Sequence, residues 1–259
     1  MQKVTISKII KKKNKTPIVC LTAYSKTIAE IADKYCDIIL VGDSLGMVLY
    51  GMKTTREIKI ETMILHAKTV KSFAKKSLVV FDMPYNTYKN KFMAYKNAKR
   101  VMKITKCDAI KLEGGKNIST IIKHLTQKKI PVMGHIGLLP QSSKDFKVKG
   151  KNIVQEKQIL EDAQIVAESG AFAIVVECVV ENLAKKISQN ISIPTIGIGA
   201  SKYCDGQIIV SDDMLGLSDF SPRFVKKYSN LKKIIKKCVK SYSSDVKLRR
   251  FPSYKNIYK

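Results

Sequence analysis

Residues 38–46 read IILVGDSLG, a β-branched apolar run that stops at Gly42 and delivers an acid, Asp43, and a hydroxyl, Ser44. Four apolar residues in succession predict a strand buried on both faces, as in parallel sheets covered by helices. The carboxyl end of such a strand is where α/β enzymes place their chemistry. The pattern recurs in residues 77–82 (SLVVFD), 108–113 (DAIKLE), 130–135 (IPVMGH) and 172–178 (FAIVVEC).

Working outward, residues 17–23 (PIVCLTA), 194–200 (PTIGIGA) and 207–211 (QIIVS) supply three more strands, making eight with residues 37–42. Helical periodicity falls between them, over residues 24–35, 54–75, 91–103, 117–127, 155–169 and 182–189. A long basic helix is expected over residues 222–241. Strands alternating with helices predict a parallel sheet with right-handed crossovers, and eight units favour a closed (β/α)8 TIM barrel. An open doubly wound sheet is the alternative, but no G-x-G-x-x-G follows any strand. No repeat or Pro/Gly/Ser linker divides the chain, so residues 1–259 are expected to form a single barrel domain. Residues 136–152 have no clear period and are a candidate lid, since loops of that length are usually functional.

The net charge of +27 over 259 residues raises the question of a polyanionic partner. Only five of the 48 basic residues are Arg, Trp is absent, and Lys is spread over nearly every helical segment. A dedicated nucleic-acid binder clusters its charge and interleaves aromatics, so nucleic acid is not the expected partner. No window reaches 18 uncharged apolar residues, which argues against a membrane span. The N-terminus lacks an apolar signal core, and the six cysteines occur singly. These features point to a reducing, cytoplasmic compartment.

Closing the barrel gathers Asp43, Ser44, Asp82, Lys111, Glu113, His135 and Glu177 at one face. Lys111 and Glu113 are two apart and so share a side. Four carboxylates and one ammonium in an apolar ring are unfavourable unless compensated, and a divalent cation is the simplest compensation. Oxygen donors without a Cys/His cluster favour Mg²⁺. Taken singly, Asp43 and Asp82 read as helix N-caps, Lys111 as an ion-pair partner and His135 as a core histidine. Their convergence favours the site. Glu177 lies inside VVEC, where burial is expected to raise its pKa and make it a proton acceptor near neutrality. His66 and His124 read as packing residues, and Asp205, Asp212 and Asp213 as turn and cap residues.

The motifs ILVGDSLGMVLYG, VVFDMPY, IKLEGG, VMGHIGLLPQS, VVEC, IPTIGIGA and CDGQIIVSDDMLGL, with a final FP, resemble the ketopantoate hydroxymethyltransferase family over residues 22–252. The resemblance implies a (β/α)8 barrel of the phosphoenolpyruvate/pyruvate type, a cytoplasmic homodecamer, and the first committed step of pantothenate synthesis. It places Mg²⁺ on Asp43 and Asp82, with Glu113 as a nearby or water-bridged ligand. Asp43, Ser44, Asp82 and Lys111 match positions that hold 3-methyl-2-oxobutanoate. His135 lines the same pocket, and Glu177 matches the proton acceptor. The implied co-substrate is 5,10-methylenetetrahydrofolate. Ser25, Leu139 and Ser201 depart from the family pattern, where Asp, Thr and Gly are usual; Ser201 is expected to stiffen a loop at the barrel mouth. The rival readings are another Mg²⁺-dependent, enolate-forming carbon–carbon lyase of the same barrel class, and a binding protein that acts through its basic surface.

Overall fold

Eight parallel strands close into a barrel in chain order: β1 (Ile18–Thr22), β2 (Ile38–Val41), β3 (Leu78–Asp82), β4 (Ala109–Lys111), β5 (Val132–Gly137), β6 (Ala173–Glu177), β7 (Thr195–Ile198) and β8 (Gly206–Ile209), the last pairing with β1. This computed structural model describes residues 2–143, 146–219 and 222–258. Helix α1 (Ile6–Lys11) precedes the barrel. Helices α2 (Lys26–Tyr35), α3 (Leu45–Tyr50), α4 (Ile60–Phe73), α5 (Lys91–Thr105), α6 (Ser119–Gln127), α7 (Ile153–Glu168) and α8 (Glu181–Asn190) lie in the crossovers.

Two-residue alternation divides the strand side chains between two cores. Ile38 and Leu40, Leu78 and Val80, Ala109, Met133, Ala173 and Val175 pack together in the barrel interior with Val4 and Ile9. Residues of the other parity, including Ile39, Phe81, Ile110, Ile174 and Val176, pack against the helices. Gly134 in β5 is needed for this packing, because a Cβ there would come within 2.4 Å of Val166 on α7.

Carboxylates fasten the amino-terminal end of the barrel. Asp37 accepts the Val19 N–H and the Lys12 ammonium. Asp33 accepts the N–H groups of Lys75, Lys76 and Ser77, and Asp108 accepts the Val79 N–H together with Lys3 and Lys71. Asp205, expected to be a turn residue, does more. It accepts from Lys13 Nζ at 2.8 Å, the Thr195 N–H at 2.8 Å, the Thr195 hydroxyl at 2.9 Å and the Asn14 N–H. The basic N-terminal segment is thus tied to strand starts far along the chain, and α1 is an element that composition alone did not reveal.

Residues Met1–Ser211 make one compact unit, and Asp212–Lys259 make another. All eight strands of the barrel lie within the first unit. Helix α9 (Ser211–Leu215) begins at the last residue of the first unit, and in the second unit α10 (Leu231–Lys247) forms the long basic helix. That helix starts nine residues later than expected from residue 222, because the Asn230 side chain caps the Lys233 N–H. No helix among the described residues is long and apolar enough to cross a membrane.

Burial raises the Asp205 carboxyl, but Lys13 and the Thr195 and Asn14 N–H groups outweigh it and hold the group below its usual range. A depressed folded value means that its stabilisation is complete above the ordinary carboxylate range and is lost as the pH falls through it. Asp205→Ala is expected to lose about 3–5 kcal/mol at pH 7, since the partly buried Lys13 is left unpaired. Denaturant unfolding should show that deficit shrinking toward pH 3; an equal deficit at both pH values would contradict the assignment.

Candidate active site

The interior parity of each strand runs on into polar residues at its carboxyl end. Val80 is followed two residues later by Asp82, Ala109 by Lys111 and then Glu113, Met133 by His135, and Val175 by Glu177. These side chains form the topmost layer of the interior core. Asp82 and Lys111 are register partners on adjacent strands. The Lys111 ammonium donates to both Asp82 oxygens at 2.9 Å and lies 3.8 Å from Glu113 Oε1. β4 ends at Lys111, so Glu113 sits just past the strand rather than on it, but keeps the expected side.

Asp43, 4% exposed, follows β2; its N–H points at Asp82 Oδ2 at 3.4 Å and its own Oδ2 accepts Gln141 Nε2 at 2.8 Å. Ser44 opens the short α3, where its hydroxyl lies 2.8 Å from the Tyr24 hydroxyl. His135 is 1% exposed and lies between two acids, with Nδ1 3.3 Å from Glu113 Oε1 and Nε2 3.2 Å from Glu177 Oε2. Both ring nitrogens are within ion-pair distance yet off hydrogen-bond geometry, leaving them without an aligned partner. Glu177 corrects one expectation. Its side chain keeps 16% exposure, so it is not the deeply buried acid that VVEC suggested. The chain turns immediately after it at Cys178, in the left-handed region at φ 48°, a conformation that costs a non-glycine residue energy.

The charges here are strongly interdependent. Burial pushes the Asp43 carboxyl well above its usual range, and the nearby Asp82 and Glu113 charges add to the effect. Burial likewise raises Asp82 against the pull of Lys111. For Lys111, burial is outweighed by Asp82, Glu113 and Asp43, which hold it as an ammonium. Burial and Lys111 depress His135, but Glu113 and Glu177 overcome them and push it up to about 9. Glu113, buried yet surrounded by His135, Lys111 and the Gln141 N–H, is held below its usual range.

A divalent cation fits this donor set. Asp43 and Asp82 are neighbouring buried oxygen donors, 4% and 2% exposed, with the Asp43 N–H 3.4 Å from Asp82 Oδ2. Among the described residues no three His, Cys, Asp or Glu side chains are grouped to hold a metal unaided. That suits Mg²⁺, which usually takes one or two carboxylates and completes its shell with water and substrate oxygens. Glu113 has its oxygens engaged by His135, Lys111 and Gln141, an arrangement closer to an outer partner than to a free ligand.

The remaining sequence candidates lie elsewhere. His66 bridges the Tyr24 carbonyl and the Tyr50 hydroxyl, and His124 packs edge-on against Phe92 and Tyr95. Asp212 and Asp213 occupy the first turn of α9. Ser25 precedes α2 without a side-chain cap bond, and Leu139 accepts the turn bonds of Ser142 and Ser143. Ser201, 2% exposed, donates to Glu181 and accepts the Tyr203 N–H. The candidate lid, residues 136–152, includes residues 144 and 145, which lie outside the described residues. In its near half, Gln141 is buried and bonds to Asp43, Met83 and Glu113. Gln141 and Tyr88 reach the site without having been singled out, because an isolated Gln or Tyr in a loop has no periodicity to mark it.

Fold and site together define a (β/α)8-barrel enzyme with an acid-rich centre at the strand carboxyl ends. Phosphonopyruvate hydrolase, solved with oxalate and Mg²⁺, has a similar fold, with a TM-score of 0.64 at 10% identity over 97% of this chain and 93% of that one. The family model for ketopantoate hydroxymethyltransferase matches residues 3–254, and the chain belongs to that family. The 3-methyl-2-oxobutanoate hydroxymethyltransferase of Pelagibacter ubique is 53% identical over 98% of both chains. That of Bartonella quintana is 49% identical over all of this chain and 96% of its own. The chain is therefore a hydroxymethyltransferase of the barrel class read from its sequence, and its likeness to lyases and hydrolases of the same fold is one of architecture.

Removing the ammonium from this layer should expose how much charge it balances. Lys111→Met is expected to destabilise the barrel by about 3–5 kcal/mol, since buried carboxylates lose their partner. Adding Asp82→Leu should recover part of that loss in a double-mutant cycle followed by denaturant unfolding. Strictly additive losses would contradict the pairing.

Proposed function

We propose that this chain transfers a hydroxymethyl group from 5,10-methylenetetrahydrofolate to 3-methyl-2-oxobutanoate, consuming water and giving 2-dehydropantoate and tetrahydrofolate. The observation that carries the reading is the convergence of Asp43, Asp82, Lys111, Glu113, His135 and Glu177 in one interior layer of a chain of this family. Asp43 and Asp82 would hold Mg²⁺, which would supply Lewis-acid stabilisation of an enolate.

The rest falls to the protein. Asp43 and Asp82 present oxygens at the floor of the mouth, and the Ser44 hydroxyl lies at its edge to meet the keto-acid carboxylate. The Glu177 side chain keeps 16% exposure at the end of β6, which leaves its carboxylate able to accept the C3 proton. His135, charged at neutral pH, bridges Glu177 to Glu113 and holds the base against the pocket. The Lys111 ammonium is fixed at the centre of the acidic layer, where it offsets negative charge as the enolate forms. The methylene carbon is bound to two folate nitrogens. C3 of the enolate bonds to it as one C–N bond breaks, and water supplies the hydroxyl as the other breaks. The two nitrogens take up the proton removed from C3 and one from the water, which releases tetrahydrofolate.

Incubation with the keto acid, methylenetetrahydrofolate and Mg²⁺ should yield dehydropantoate, with turnover that depends on the folate; folate-independent cleavage of the keto acid would favour a lyase. Asp82→Ala should lose Mg²⁺-dependent turnover. Glu177→Gln should still bind the keto acid but lose exchange of its C3 hydrogen with solvent. Wild-type exchange in that variant would remove Glu177 from the base role.

A further inference from the structure

Gln141 is 2% exposed and makes a bond with every polar group it has. Its Nε2 donates to Asp43 Oδ2 at 2.8 Å and to the Met83 carbonyl at 3.0 Å, and its Oε1 accepts the Tyr88 hydroxyl at 2.5 Å. Its backbone N–H donates to Glu113 Oε2 at 3.0 Å, and its carbonyl accepts Arg56 Nε at 2.7 Å. The carboxamide can sit only one way round. Reversed, its oxygen would face the Met83 carbonyl, an acceptor with no hydrogen to share, and its amide hydrogens would face the Tyr88 hydroxyl in place of an acceptor. Among the described residues, Gln141 is the side-chain donor that reaches Asp43.

Arg56 works on the same loop from outside. It is one of only five arginines among 48 basic residues, so its presence departs from the chain's strong use of lysine. Its guanidinium also lies over the Tyr85 ring at 5.3 Å. A planar fork can stack on a ring and donate sideways at once, which an ammonium cannot. Gly137 makes the inward turn possible: at φ 92° it redirects the chain after β5, where a Cβ would lie 2.3 Å from the Glu177 carbonyl oxygen.

We propose that Gln141 is a positioning residue that presets Asp43 through its side chain and Glu113 through its backbone for cation and keto-acid binding, with Arg56 and Tyr85 clamping its loop in place. This rests on the reading of those carboxylates as the cation site and deepens it. Two acids that follow separate strands, Asp43 after β2 and Glu113 after β4, are coupled through one residue of a third loop, so cation affinity and the order of residues 138–143 are linked. Each should strengthen the other.

The test is the Mn²⁺ dissociation constant of the full chain, read by electron paramagnetic resonance without either substrate. Gln141→Leu keeps the bulk and removes the donors. It should weaken Mn²⁺ by about 10- to 100-fold, the usual effect of losing an outer-shell partner, with its thermal unfolding still cooperative. Arg56→Lys changes an exposed position; it should weaken Mn²⁺ by a smaller factor and speed amide hydrogen exchange at residues 138–143. An affinity unchanged within about twofold in Gln141→Leu would overturn the proposal. Should that variant not fold, unchanged affinity and exchange in Arg56→Lys would do the same. A wild-type chain that binds no Mn²⁺ contradicts the cation reading and this inference together, whereas normal wild-type binding that both variants preserve contradicts this inference alone.

Discussion

One in-register pair of neighbouring strands, with Asp82 on β3 beside Lys111 on β4, is the constraint on which the mouth of this barrel depends. Parallel pairing and the two-residue alternation of strands leave no choice about where these side chains go. If Val80 and Ala109 fill the interior, Asp82 and Lys111 must follow them inside and meet there. Burying such a pair is a poor route to stability, because the desolvation of both ions roughly cancels their attraction. The same is true of His135 and Glu113. A layer that is costly to build and apolar below is better explained by what it binds than by what it holds together.

The amino-terminal end of the barrel shows what stabilising charge looks like in the same molecule. There Asp33, Asp37, Asp108 and Asp205 accept backbone N–H groups at strand starts, and the last three also take lysines from the N-terminal segment. Asp33, Asp108 and Asp205 are held below the usual carboxylate range by those donors. At the mouth the balance is reversed: Asp43 and Asp82 stand above it, because burial and like charge exceed what Lys111 and Gln141 supply. One end is satisfied by backbone and lysine donors, while at the other the ionised form of two buried carboxyls is disfavoured, a cost that a bound cation would offset.

Much of this could be read from the chain. Strand interiors such as LVVFD and AIVVE carry a dense apolar signal, and their terminal acids mark the face where the site lies. The expected spacing of Lys111 and Glu113 held even though β4 stops earlier than expected, since extended backbone past a strand keeps the same alternation. What escaped notice depends on contacts distant in sequence. Gln141 matters only because it meets Asp43, 98 positions away, and Asp205 only because Lys13 lies across the barrel floor. The start of α10 was misplaced because Pro222 reads as a helix opening, whereas the Asn230 cap decides it. Glu177 was expected to be buried on the strength of its apolar neighbours, but the last residue of a strand at a barrel mouth is open on one side.

The central claim is that the acids at the mouth gather a divalent cation and the keto acid into one assembly. The most direct measurement is paramagnetic relaxation of ¹³C-labelled 3-methyl-2-oxobutanoate in the presence of the protein and Mn²⁺. The account predicts strong enhancement at the carboxylate and keto carbons and much weaker enhancement at the methyl carbons, the pattern of chelation through two oxygens. Equal, weak enhancement at every carbon would place cation and substrate apart and contradict it.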